Sequence, residues 1–84
     1  MEGTELRGLI LRKVEDGTLP PDRPDKTFAG YGRGDRCDAC DEPIHPIQVE
    51  YEFDRPGHRY TFRLHLECAA LWEALRIRRE AGYE

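Results

Sequence analysis

Two short stretches of the chain alternate apolar and polar side chains with the period of a strand. In "IQVEYEF" (47–53), Ile47, Val49, Tyr51 and Phe53 alternate with Gln48, Glu50 and Glu52. In "RYTFRL" (59–64), Tyr60, Phe62 and Leu64 alternate with Arg59, Thr61 and Arg63. Each predicts a half-buried strand, and "RPGH" between them predicts the turn of a β-hairpin. The expected register sets Phe53 opposite Tyr60, Tyr51 opposite Phe62 and Val49 opposite Leu64. It also sets Glu50 against Arg63 and Asp54 against Arg59 on the polar face.

The pattern then changes to a helical one. "HLECAALWEALRIRREAG" is rich in Ala, Leu, Glu and Arg, its arginines lie late, and Gly82 stands where a helix would stop. It predicts a helix from about His65 to Ala81. Trp72 and Leu75 continue the face that begins with Cys68, and are expected to pack over the hairpin aromatics. At the other end, Leu6, Leu9, Ile10 and Val14 form one stripe of an amphipathic helix over 1–17, with Thr4 as N-cap and Gly17 as stop. The stripe packs either on this chain's own core or on another protein, with self-packing favoured. Between them, 18–36 reads as an irregular Pro/Gly-rich arm holding Pro20, Pro21, Pro24, Gly30, Gly32 and Gly34. Leu19, Phe28 and Tyr31 favour an arm laid over the domain, because a free tether has no use for them. The expected organisation is an N-terminal helix (1–17), the arm (18–36) and a domain over 37–84.

The chain has 84 residues, suited to one small domain with a thin core. Chains of this size often need a staple: disulfides, a metal or a partner. No stretch approaches a membrane span, and "MEGTELRGLI" carries acids where a secretory signal would be basic. A cytoplasmic setting is therefore expected, where clustered cysteines more often bind metal than form disulfides. Three cysteines also make an odd number for a disulfide framework.

All three cysteines and one histidine fall into two pairs of two-residue spacing, Cys37-x-x-Cys40 and His65-x-x-Cys68. Three thiolates and an imidazole are a standard closed set for tetrahedral Zn2+, and zinc rather than iron is the default for that set. A CxxC bend presents two sulfurs from one tight turn. His65 and Cys68 would share one face of a helix at i and i+3. A redox CxxC would open a helix after a strand. This one precedes an acidic, proline-bearing bend instead, and the redox reading leaves His65 and Cys68 idle. A zinc deaminase would need His-x-Glu upstream of Pro-Cys-x-x-Cys, and neither segment is present. His45 and His58 have no partner at ligand spacing, and His45 is at most a spare for His65.

The order of parts is a CxxC knuckle, a hairpin, and a helix whose first turn gives the last two ligands. It resembles a treble-clef zinc finger over about residues 35–80. The closest likeness is one half of a LIM domain, whose first finger has CxxC and then HxxC; the second LIM finger is not present. GATA-type fingers are similar in layout but end in CxxC where this chain has "HLEC". The resemblance implies a small α+β zinc-bound domain and does not choose among DNA reading, protein binding and nuclease scaffolding. Four protein ligands leave no position for a substrate or water, so a structural ion is expected and no catalytic residue is assigned.

Charge narrows the function classes further. The formal net charge is −4. Residues 37–54 hold six acids and no Lys or Arg, whereas 55–84 hold six arginines against four glutamates. An acidic chain is an unpromising general binder of phosphate backbones. Serine is absent, which excludes a serine nucleophile in this chain. The leading expectation is a non-catalytic zinc-stabilised module that binds another protein through the N-terminal helix, the arm or the acidic knuckle. The alternative is a nucleic-acid-binding regulator using Arg76, Arg78 and Arg79. "GYGRGD" is not GxGxxG and follows no predicted strand, so it reads as loop. Neither the partner nor the oligomeric state is legible in the sequence.

Overall fold

The computed structural model describes residues 3–21, 23, 24, 26–54 and 61–80. Five elements follow in order: α1 (Gly3–Glu15), β1 (Thr27–Tyr31), β2 (Val49–Asp54), β3 (Thr61–His65) and α2 (Leu66–Glu80). The strands form one antiparallel sheet in the order β1-β2-β3. The architecture is small α+β: two helices and a three-stranded sheet.

β2 and β3 pair as the alternation requires, but in a different register. Phe53 lies opposite Phe62, Tyr51 opposite Leu64 and Glu50 opposite His65. This is two residues from the expected register. Side-chain direction repeats every two residues, so such a slip keeps every aromatic on the same face and alternation alone cannot detect it. The observed register stacks Phe53 on Phe62 at 5.1 Å between ring centroids. Trp72 meets both edge-on, at 5.1 and 5.3 Å. The cluster of three rings is what the slip gains. The expected Glu50–Arg63 pair survives diagonally, at 3.6 Å. Tyr60, Arg59 and the turn lie outside the described residues.

The arm differs more. Within the stretch read as irregular, Thr27–Tyr31 forms β1, paired along β2 with Thr27 opposite Phe53 and Tyr31 opposite Val49. "TFAGY" carries no alternation and a glycine, so nothing local marks it as a strand; β2 templates it. Phe28 and Tyr31 are not its buried anchors, being 55 % and 73 % exposed. Leu19 is the anchor, fully buried, and the indole N–H of Trp72 donates to the Pro20 carbonyl at 2.9 Å. Ile47, assigned to the inner face of the first strand, is 90 % exposed because the strand begins only at Val49.

α1 packs on α2, and Leu6, Ile10 and Val14 belong to the same core as Trp72, Leu75, Phe53, Phe62 and Leu64. Leu9 is half-buried at the side of that stripe. Thr4 lies inside the helix rather than capping it. Gly17 adopts φ +87°, a left-handed conformation that ends a helix without strain in glycine alone. Arg76 is buried with its guanidinium 4.5 Å over the Trp72 ring, so it belongs to the core's edge rather than to a solvated helix end.

Candidate metal centre

The knuckle is built by backbone hydrogen bonds around the CxxC. Asp41 N–H donates to the Cys37 carbonyl at 3.0 Å and Cys37 N–H to the Glu42 carbonyl at 2.8 Å. Asp41 closes the bend at φ 68°, a left-handed position that Asp tolerates better than most residues. The chain entering and leaving the knuckle runs side by side: Ile44 N–H donates to Asp35 and Gly34 N–H to Ile44, at 2.8 and 2.9 Å. Gly32 sits where a Cβ would collide with the carbonyls of Ile44 and His45. The glycine-rich run is thus the approach track of the knuckle.

β3 supplies the other wall. Lys26/Asp54 and Gly32/Gln48 are joined by N–H···O bonds in line with the β1–β2 register. Groups along β2 therefore bond alternately to β1 and to β3, which leaves the N–H and C=O of Arg63 pointing outward. Asp38 takes both: its N–H donates to the Arg63 carbonyl at 2.8 Å, and its Oδ2 accepts from Arg63 N–H at 2.7 Å. Two residues on, His65 N–H points at the Cys37 sulfur. One aspartate beside the first cysteine therefore pins the knuckle to the strand that ends in the histidine.

Cys37, Cys40, His65 and Cys68 are brought together, with one donor atom from each and all four within 4.8 Å of one another. His65 differs from expectation in one respect: it is the last residue of β3, and only Cys68 lies in the first turn of α2. The two converge across a strand–helix junction, not along one helix face. His65 Nδ1 is 3.4 Å from Cys40 Sγ and 3.9 Å from Cys68 Sγ. Tetrahedral bonds of ordinary zinc–sulfur and zinc–nitrogen length put such atoms about 3.5 Å apart, so the donor set fits an ion of that size and geometry. On the far side of the ring, Nε2 is 3.1 Å from the Pro43 carbonyl. That oxygen can only accept, so the proton sits on Nε2 and the lone pair of Nδ1 faces the sulfurs.

Titration of the thiols expresses the same crowding. A hydrogen bond from Cys68, helped by the N–H groups of Cys40, His65 and Ala39, outweighs burial and lowers the Cys37 thiol to about 4. The same bond, then burial and the charge on Cys37, push Cys68 up. Burial pushes Cys40 up. Three thiolates packed this closely repel one another, and a cation among them would relieve that repulsion.

Lys13, in the last turn of α1, donates to the Asp38 carbonyl at 3.0 Å and pairs with Asp41 at 2.9 Å. The helix is thereby tied to the knuckle. Neither Lys13 nor Asp38 is marked by any motif; the only signal was an acid next to the first cysteine. The acidic run is largely answered from within the chain. Arg36 lies 3.9 Å from Asp41, and Arg33 and Arg63 lie 3.4–3.7 Å from Glu50 and Glu52. Glu50, expected on the polar face opposite Arg63, is 4 % exposed beneath them. The backbone N–H of His45 donates to Gln48 Oε1 and its side chain stands outside the cluster, and His58 lies outside the described residues. Among the described residues, no helix is long and apolar enough to cross a membrane. No protein-family model matches the chain, and no match is found among curated proteins or solved structures.

Proposed function

We propose that the chain is a treble-clef-like zinc finger, with Zn2+ held by Cys37, Cys40, His65 and Cys68 in a structural role, and that it works as a protein-binding module. The observation that carries the zinc reading is the preset His65 tautomer facing three converging sulfurs. Four protein donors complete a tetrahedron, which favours a structural ion over a catalytic one.

The binding surface follows by subtraction. The stripe of α1 is spent on the core, and in the knuckle Asp41 is paired with Lys13 and Arg36 while Asp38 is bonded to the Arg63 N–H. Of the three surfaces expected to bind, the arm stays open: β1 presents Phe28 and Tyr31 to solvent, while Ile47, Leu66 and Ile77 are exposed singly elsewhere. Nucleic-acid binding has less support, since Arg63 is paired with acids and Arg76 is laid on Trp72. Protein purified under reducing conditions should carry one zinc per chain by elemental analysis. Binding to a protein should be lost in a Phe28→Asp, Tyr31→Asp variant that keeps its zinc. Salt-sensitive DNA or RNA binding, abolished by changing Arg78 and Arg79, would contradict the module reading.

A further inference from the structure

β1 is an edge strand whose outward groups no described residue takes. The bonded pairs Lys26/Asp54 and Gly32/Gln48 fix the phase: Phe28 and Gly30 turn their N–H and C=O toward β2, and Thr27, Ala29 and Tyr31 turn theirs away. All five side chains are exposed, and the strand contains no charge and no proline. Natural edges are normally blunted by one or the other.

The strand is also complementary to itself. Laid antiparallel on a second copy with Ala29 facing Ala29, each outward residue meets an outward residue: Thr27 meets Tyr31 and Tyr31 meets Thr27. On the face away from α2, Phe28 of one copy falls opposite Gly30 of the other. Nothing lies within 4 Å of where a Gly30 Cβ would be. The hollow there, about 180 Å3, is floored by Glu50 and Glu52 and walled by Phe28 and Arg33. An aromatic ring laid across an edge glycine is a recognised stabilising pair. On the α2 face, Tyr31 of one copy falls beside Thr27 of the other. Thr27 lines a groove of about 470 Å3 together with Tyr51, Trp72 and Ile77. Each exposed aromatic therefore meets open space on both faces, related by one two-fold axis.

We infer that the partner taken by this surface is a second copy of the chain, joined β1 to β1 into a continuous six-stranded sheet. The inference rests on the reading of the arm as a protein-binding face and not on which metal is bound. A pair of five-residue strands is a small interface, so the association is weak, with a dissociation constant on the order of micromolar to hundreds of micromolar.

Sedimentation of the zinc-loaded protein from about 1 µM to about 1 mM should show its mass doubling. Ala29→Glu places two carboxylates face to face and should raise the dissociation constant at least roughly tenfold, with metal content and circular dichroism unchanged. Ala29→Lys should do the same. An equimolar mixture of the two variants should restore the doubled mass, an outcome available only if residue 29 faces itself. A single-chain mass throughout, a doubled mass indifferent to Ala29→Glu, or no restoration in the mixture would each overturn the inference. If such a monomer still bound a different protein through Phe28 and Tyr31, self-pairing alone would have failed.

Discussion

Along the outer edge of β3, Arg63 offers its N–H and C=O to Asp38, and His65 aims its N–H at the Cys37 sulfur. Along the outer edge of β1, Thr27, Ala29 and Tyr31 offer the same groups and no described residue accepts them. The same backbone chemistry thus ends in two ways. On one side, sheet edge and donor cluster are one structure, so an ion held there would order the strand as well. On the other, the edge is held only by β2, and its energy is still available for association.

The largest effect should come from breaking the closed edge at its ligands. Structural zinc contributes about 10–16 kcal/mol in small finger peptides, against about 5–15 kcal/mol of net stability for whole domains. Cys37→Ser or Cys68→Ser should therefore abolish cooperative folding, seen as loss of the thermal transition by circular dichroism. Next comes Trp72→Ala, which removes the ring meeting Phe53 and Phe62 and leaves the Pro20 carbonyl without its donor. It should cost about 3–5 kcal/mol in denaturant unfolding of the zinc-loaded protein.

Asp38→Ala leaves the four side chains of the cluster in place but removes one of the two bonds by which Asp38 fastens the knuckle to β3, the one from Arg63 N–H to Oδ2. We expect a loss of about 1–3 kcal/mol and a metal affinity weakened about 10–100-fold in competition with a chelator. Smaller again is Lys13→Met, which unties α1 from the knuckle and should cost about 1 kcal/mol, since the pair is partly screened. Ala29→Glu stands at the far end: within about 0.5 kcal/mol of the parent in stability, and altered only in mass at high concentration. A large destabilisation by that variant would mean that the β1 edge is not open.

The grouping of Cys37, Cys40, His65 and Cys68 was legible because spacing alone carries it: two pairs, each with two residues between, in a chain short enough to need a staple. Strand faces were legible from alternation, and Trp72, Phe53, Phe62 and Leu64 occupy the core as the pattern requires. Register was not, because a two-residue slip leaves every side chain on its own face, and the ring cluster that selects it is a tertiary event. β1 was hidden for a related reason. "TFAGY" has no intrinsic strand signal and forms only against β2. Glu50 is equally context-made: an acid in a polar phase, buried because Arg33 and Arg63 close over it. Arg76 took the reverse course, leaving solvent for the face of Trp72.

Alkylation under chelation asks whether one ion clasped by Cys37, Cys40, His65 and Cys68 closes the β3 edge and holds the fold. Protein purified in reductant should carry one metal ion per chain by native mass spectrometry and resist thiol alkylation. Adding a chelator should release the ion, expose all three cysteines together and collapse the helical circular dichroism. A folded protein without metal whose cysteines alkylate freely, or one that keeps its fold after the ion is stripped, would show that no ion holds the fold.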